Sequence, residues 1–490
     1  MDYMYLKSGT DVRGIASDLG GKAVELDNTT VYDITAAFVV WCVNKFSKGA
    51  NELKIAIGHD SRITADRISG CVKDALVNAG VNVLDCGLAS TPAMFMTTVD
   101  LHTDAAIQIT ASHHPFDRNG LKFFIGTGGL EGSDISEILT LASRGEECIS
   151  EQKGNVQESD YMKDYAARLR DMIIREVGKG EKPLQNYHIV VDAGNGVGGF
   201  YANEVLAPLG ADISGSQFLE PDGMFPNHIP NPENKQAIES ICNAVKASGA
   251  DFGVIFDTDV DRAGCVDGDG NEINRNRLIA IAAYIALAGK KGGTIVTDSV
   301  TSDGLKKYIN EDLGGVHYRY RRGYKNVINK AIELCEQGID CPLAIETSGH
   351  AALKENYFLD DGAYLATKII IELAKGTDIK ALLSTMEMPV EEAEYRFNIS
   401  AKDFRAYGQK VIEDLEQFTA AHDGYVIADD NREGIRVSTT QGWFLLRLSV
   451  HDPVMPMNFE SNEAGGVVIM KQELKAFFKG FSELEIPKDF

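Results

Sequence analysis

Two short stretches of this chain carry residue types suited to moving a phosphoryl group. The first is Thr110-Ala111-Ser112-His113-His114-Pro115, which follows an apolar, strand-like run from Ala105 to Ile109. A serine hydroxyl at the end of a strand, beside two imidazoles, can act as a covalent phosphoryl carrier once a base, a metal or a preset electrostatic site activates it. The second is Asp257-Thr258-Asp259-Val260-Asp261-Arg262, where three alternating carboxylates suffice to hold a hard divalent cation. An EF-hand fits poorly, because its sixth position wants Gly and has Arg262, and its twelfth wants Glu and has Gly268. Read singly, a polar loop with satisfied hydrogen bonds and a solvated acidic turn explain these stretches as well.

The elements that must position them alternate between strand and helix patterns. Lys54–Gly58 reads as a buried strand, Ile68–Asn78 as a helix and Val81–Leu84 as the next strand, which argues for βαβ units and a parallel sheet. Loops after such strands lie at one sheet edge, where α/β proteins bind ligands. His59-Asp60-Ser61-Arg62 and the Ser112 loop both occupy that position. The run Phe252–Phe256 delivers the Asp triplet, and Thr294–Thr297 starts a third α/β segment. From about Glu391 the pattern changes: Tyr425–Ala428, Gly434–Ser438 and Trp443–Leu446 suggest antiparallel strands in an α+β end domain. One further motif, Gly194-x-Gly196-x-x-Gly199 with Asp212 beyond it, follows a strand and fits a dinucleotide-binding pattern.

Composition narrows the function classes. The 490 residues suffice for several domains, and 44% hydrophobic residues allow a globular core. A net charge of −24 argues against a general nucleic-acid or anionic-membrane surface. A phosphate ester would need a local reversal of that field, for which Arg13, Lys122, Arg262, Lys325 and Arg447 are the candidates. Eight cysteines without a CxxC pair read as reduced thiols of a cytoplasmic protein. No signal peptide is expected, since the N-terminus runs almost at once into Ser8-Gly9-Thr10-Asp11. The longest apolar stretch, near Leu278–Ala288, is far short of a membrane span and reads as a buried helix. Oligomeric state is not legible.

Four motifs occur in order: Gly9-Thr10-Asp11-Val12-Arg13-Gly14, the Ser112 loop, the Asp257 loop and Glu346-Thr347-Ser348-Gly349-His350. Together, across nearly the whole chain, they resemble the α-D-phosphohexomutase superfamily of phosphoglucomutases and phosphomannomutases. The resemblance implies an α/β fold class: three similar α/β domains with mixed sheets plus a C-terminal α+β domain around a central cleft. The expected boundaries are 1–155 with the phosphoserine loop, 156–275 with the metal loop, 276–390 with the sugar-binding loop and 391–490 with the phosphate-binding loop.

It further implies a phosphohexomutase that interconverts hexose 1-phosphate and hexose 6-phosphate, glucose and/or mannose, through phosphoserine and a hexose 1,6-bisphosphate. Ser112 matches the active serine, and Asp257, Asp259 and Asp261, with an oxygen of Ser112, match a Mg²⁺ site. Arg262 would point into the same site. Arg13 resembles an arginine beside the phosphoserine, Lys122 a lysine that handles the sugar hydroxyl proton, and His113 a residue that orients the loop or shuttles a proton. Glu346, Ser348 and His350 match a sugar-binding loop in which His350 can also serve as a base, and Lys325 resembles a lysine near the substrate phosphate.

The pattern breaks in two places. His114 stands where the family has Asn. The C-terminal phosphate clasp reads Arg447-Leu448-Ser449-Val450-His451-Asp452-Pro453, keeping Arg447, Ser449 and Pro453 but replacing Gly or Asn by Val450 and Thr by His451. Val restricts the backbone where Gly would wrap a phosphate, while His451 can replace the lost donor. Thr347 stands where glucosamine-phosphate enzymes have a methionine-containing motif, which makes amino-sugar phosphates the less expected substrates. The rival readings are a glucose 1,6-bisphosphate synthase using another phosphosugar as donor, a non-catalytic sugar-phosphate sensor, and a dehydrogenase using the Gly194–Gly199 turn.

Overall fold

Strands buried on both faces, such as Ala105–Ile109 and Phe252–Phe256, form the cores of the α/β sheets, as their near-continuous apolar runs require. The computed structural model describes residues 2–449 and 452–490. Two compact units result: 1–274 with 348–379, and 275–347 with 380–490.

In the first unit, Lys54–His59 pairs in parallel with Ala105–Ile109 on one side and Asn82–Leu88 on the other. Val156–Glu158, just past the expected boundary at 155, extends this sheet beside Asn82–Leu88. At the other side Ala105–Ile109 turns back through the Ser112 loop into the antiparallel strand Arg118–Ile125, which pairs with Asp11–Ile15. The helix Asn28–Phe46, capped by the Asp27 carboxylate on Thr30 N–H at 2.8 Å, packs with Ala65–Asn78 and Gly132–Ser143. Their shared core includes Val31, Phe38, Ile55, Ile57, Ile107 and Phe123.

A second sheet in this unit sets Phe252–Phe256 parallel to Ile189–Asp192 and antiparallel to Ala263–Asp267. The helix Lys235–Ser248, capped by Asn234, covers one of its faces with Ile238, Ile241 and Val245. The segment 348–379, which the sequence grouped with its third α/β region, belongs to the first unit. It forms the antiparallel pair Ala351–Leu353 and Leu359–Asp360, followed by the helix Gly362–Lys375, which packs on the helix Tyr161–Val177.

In the second unit, Thr294–Thr297 lies parallel between Val316–Arg319 and Leu343–Ile345, with the helices Asn276–Leu287 and Tyr324–Glu336. The C-terminal part is an antiparallel sheet in the order 426–427, 435–438, 442–446, 454–461, 391–399, 484–485. The helices Phe404–Ala420 and Gly466–Phe478 close its core around Phe397, Val411, Phe444, Met457, Met470 and Phe478. The architecture is therefore α/β with an α+β end, as the sequence pattern implied. Among the described residues no helix is long and apolar enough to cross a membrane, and all eight cysteines are free thiols.

The glycine-rich turn after Ile189–Asp192 has a structural task. A Cβ on Gly196 would lie 2.4 Å from the Thr258 carbonyl oxygen, and one on Gly199 would lie 2.2 Å from that of Leu219. Val197 N–H donates to the same Thr258 oxygen at 2.8 Å. These glycines bring backbone against backbone and so seat the Asp257–Asp261 loop. Gly196→Ala is expected to destabilise the protein by roughly 1–3 kcal/mol, the usual cost of overpacking against fixed backbone. It should also loosen the Asp loop: the melting temperature falls and the stabilisation by added divalent cation shrinks, both readable by thermal unfolding with and without Mg²⁺.

Candidate active site

Strand Ala105–Ile109 ends where Ser112 takes up a left-handed backbone conformation, φ 52°. Few non-glycine residues adopt it, and they do so where surrounding contacts over-determine the backbone. Ser112 is 4% exposed. Its N–H donates to Thr110 Oγ1 at 2.9 Å, and its Oγ donates to Asp257 Oδ2 at 3.3 Å. Arg262 Nη2 donates to the same Oγ at 3.2 Å. One short loop thus meets another that lies 145 residues further along the chain.

The loop carrying Asp257, Asp259 and Asp261 leaves Phe252–Phe256, every residue of which is buried. It contains a second strained residue, the β-branched Val260 at φ 66°. The three carboxylates can each place one oxygen within 4.8 Å of the others. Burial, then Asp261 and Asp259, pushes the Asp257 carboxyl well above the usual carboxylate range. Asp259 is pushed up to about 6 by burial and by Asp261. Burial would raise Asp261 too, but Lys122, His350 and Arg262 outweigh it and hold this carboxyl below the ordinary range. Lys122 Nζ lies 2.9 Å from Asp261 Oδ2.

The donor set fits a divalent cation. Oδ1 of Asp259 and Oδ1 of Asp261 are buried and have no hydrogen-bond partner, while Asp259 Oδ2 is held by the Thr91 hydroxyl. Three crowded carboxylates with two unused buried oxygens are costly unless a cation compensates them.

His113 and His114 are neutral at neutral pH. Burial and the Arg262 charge lower His113 to about 2, and burial and Arg13 lower His114 to about 3. Arg262 Nη2 donates to His113 Nδ1 at 2.5 Å, which fixes that nitrogen as an acceptor. His113 therefore orients Arg262 and the serine rather than standing by as a charged acid. Arg13, on the strand Asp11–Ile15, donates to Asp11 Oδ2 at 2.7 Å and faces Gly120 across the sheet. His350 Nδ1 is hydrogen-bonded to Asp360 Oδ2 and lies 3.9 Å from Asp261 Oδ1. Burial would lower its pKa, but Asp360 and Asp261 raise it.

In the first unit the fold thus gathers Ser112, His113, Lys122, Asp257, Asp259, Asp261, Arg262 and His350, with Arg13 next to them; Ser348 is buried there as well. The remaining candidates are in the second unit. Glu346, 4% exposed, accepts from Gly323 N–H at 2.5 Å, and Thr347 Oγ1 donates to Asp298 Oδ2 at 2.7 Å. Burial and Glu346 push Asp298 up to about 7. Arg447 is buried, and burial together with Arg322 lowers its pKa. Ser449 N–H donates to Val454 O at 2.9 Å, its Oγ accepts from Asp452 N–H, and Lys325 lies in the first turn of Tyr324–Glu336. His451 lies outside the described residues.

Sequence models of phosphoglucomutase/phosphomannomutase α/β/α domains I, II and III match residues 8–147, 162–270 and 274–388. The chain belongs to this family. It is an intramolecular phosphotransferase of the phosphohexomutase type. A phosphoglucomutase of Neisseria gonorrhoeae is 29% identical over 484 residues, covering 97% of each chain. A phosphomannomutase/phosphoglucomutase of Pseudomonas syringae pv. tomato is 29% identical over 453 residues, covering 92% of this chain and 90% of its own. The crystal structure of a family protein from Burkholderia thailandensis superposes with a TM-score of 0.81 at 26% identity, covering 98% of this chain and 99% of the other.

Sequence reasoning placed the Asp60–Arg62 pair at the right sheet edge but missed Thr91, Asp360 and Asp298. Their side chains act across 10 to 168 residues of chain, and no local spacing marks such partners.

The crowded carboxylates set a pH signature. A carboxyl whose folded pKa is raised adds stability below its unfolded value and loses it as pH rises through the folded value. For Asp259 this window runs from the ordinary carboxyl value of 3.8 to about 6. Cation-free protein should therefore melt lower at pH 7.5 than at pH 5.5, and added Mg²⁺ should raise the melting temperature more at pH 7.5. Asp259→Asn should reduce both differences in the same thermal titration, the remainder coming from carboxyls such as Asp257 and Asp298 that are raised as well.

Proposed function

We propose that this mutase carries its phosphoryl group on Ser112 and works on glucose 1-phosphate and mannose 1-phosphate. The reading rests above all on Ser112 Oγ, buried between the Asp257 carboxylate and the Arg262 guanidinium at 3.3 and 3.2 Å. Related proteins bearing the names phosphoglucomutase and phosphomannomutase support the sugar class. Phospho-Ser112 gives its group to the free hydroxyl of the sugar phosphate. The P–Oγ bond breaks, the new P–O bond forms at the sugar, and the hydroxyl proton passes by way of Lys122 or His350 to the departing Ser112 Oγ. The resulting hexose 1,6-bisphosphate reorients and returns its other phosphoryl group to Ser112.

Asp257, Asp259 and Asp261 would hold Mg²⁺, which supplies Lewis-acid stabilisation of charge on the transferring group. Arg262 and Arg13 neutralise phosphoryl oxygens, and His113 keeps Arg262 aimed at the serine. Glu346 and Ser348 contact the sugar hydroxyls, and Lys325, Arg447, Ser449 and His451 the distal phosphate. The proposed domains are 1–155, 156–275, 276–390 and 391–490; the extents of the three family matches support this division. The eight thiols, none of them in a disulfide, suit a reducing, cytoplasmic setting.

A ³¹P NMR time course with Mg²⁺ and a trace of hexose 1,6-bisphosphate tests the reading, with each sugar 1-phosphate supplied separately. The expected outcome is conversion to the 6-phosphate, reduced to the detection limit in Ser112→Ala. Conversion that survives in Ser112→Ala overturns the serine assignment, and net accumulation of bisphosphate identifies a bisphosphate synthase instead.

A further inference from the structure

Behind the serine loop lies a residue that touches no reacting atom. Arg62 follows the strand Lys54–His59 and is 2% exposed. A guanidinium has five N–H donors in a fixed planar fork. Here all five have partners. Nε donates to Asp60 Oδ2 at 3.2 Å. Nη1 donates to Pro115 O at 2.7 Å and Arg118 O at 2.9 Å. Nη2 donates to Ser112 O and, at 2.6 Å, to His114 O. Four of the five are carbonyls of the loop that carries the serine.

Asp60 closes the arrangement from the other side. Its Oδ1 accepts from Arg62 N–H at 2.9 Å, and its Oδ2 accepts from Thr110 Oγ1 at 2.7 Å. The same Thr110 Oγ1 accepts from Ser112 N–H at 2.9 Å. Ser112 is therefore held at both ends of its own backbone: the N–H through Thr110 to Asp60, the carbonyl directly by Arg62.

Ser112 sits at φ 52°, a conformation that relaxes unless contacts impose it. Arg118 begins the returning strand, so the same guanidinium also anchors the start of the strand that carries Lys122. A lysine cannot replace it. Lysine carries three donors that diverge from one point and cannot span four carbonyls in a plane.

We propose that Arg62, braced by Asp60 and Thr110, is a positioning residue for phosphoryl transfer: it imposes the left-handed conformation of Ser112 and so aims the Oγ between Asp257 and Arg262. This rests on Ser112 being the phosphoryl carrier. The consequence is specific. Without the brace, the serine still takes up a phosphoryl group but passes it less well to a sugar, while water, which needs no alignment, still removes it.

The test uses the full chain as wild type, Arg62→Lys and Thr110→Val. Each is loaded with glucose 1,6-bisphosphate and Mg²⁺, and phosphoenzyme is counted by intact mass. It is then chased with glucose 1-phosphate or with buffer alone. Phosphoryl loss is timed in both, alongside kcat, KM and the melting temperature.

For Arg62→Lys the expected result is a drop of about 100-fold in kcat per phosphorylated site, the scale of a misplaced reacting group. KM should stay within about threefold, because the sugar contacts are untouched. The ratio of sugar-driven to water-driven loss should fall with kcat. Thr110→Val removes one link and should shift the same ratio about tenfold. It decides the matter if Arg62→Lys does not fold. A merely structural role would lower the melting temperature and the phosphorylated fraction but leave kcat per phosphorylated site and the transfer ratio unchanged, and that result overturns the proposal. If wild type itself takes no phosphoryl group on Ser112, the carrier reading fails first and this proposal falls with it.

Discussion

Three carboxylates buried within reach of one another set the terms for the rest of the first unit. Like charges in a low-dielectric interior repel strongly, and each loses its hydration on burial. Asp257 and Asp259 respond by holding protons more tightly, whereas Asp261 stays ionised because Lys122, His350 and Arg262 face it. The loop cannot relax away from this crowding. It leaves a strand whose Phe252 and Phe256 are buried, and each such side chain contributes roughly 1.5–3 kcal/mol of hydrophobic stabilisation. Gly196 allows the neighbouring turn to clamp it at Thr258, and Thr91 grips Asp259 by both its backbone and its side chain. Apolar burial thus sustains an arrangement that electrostatics alone would disperse.

The same logic explains why strain collects at two points. Ser112 and Val260 both adopt left-handed backbone, and both belong to loops that meet at the Ser112 hydroxyl. A relaxed turn at either place would redirect a side chain by several ångströms. The fold holds the serine loop by a buried guanidinium and the Asp loop by backbone clamps. The two loops are then joined through Arg262, which spans Asp257, Ser112 and His113.

The chemistry-bearing residues were largely legible in the sequence because they occur in short contiguous runs. Ser112 with His113, Asp257 with Arg262, and Glu346 with His350 each advertise themselves by local spacing. Strands and helices were legible where the hydrophobic pattern ran long, as in Ala105–Ile109 and Asn276–Leu287. What could not be read were the partners. Asp360 reaches His350 through a hairpin, Thr91 reaches Asp259 across 168 residues, and Arg62 reaches four carbonyls about 50 residues away. Such contacts depend on which strands are neighbours, and periodicity alone does not give strand order. The glycine-rich turn at 194–199 shows the opposite hazard. Its pattern matches a dinucleotide motif, yet the glycines serve close backbone approach within the protein.

Net charge then clarifies what the site must recruit. The whole chain carries −24, an unfavourable field for an anionic sugar phosphate. Around Ser112, Asp11, Asp60, Asp257, Asp259, Asp261 and Asp360 face Arg13, Arg62, Lys122, Arg262 and His350, whose pKa Asp360 and Asp261 raise. Neutral His113 and His114 add nothing to the positive side. The fixed cations here are thus largely engaged by carboxylates. A cation held by the carboxylate triad would add positive charge beside Ser112. The acidic loop would thus let an acidic protein become locally cationic, because a positive ion bound there would sit beside arginines that the fold already holds in place.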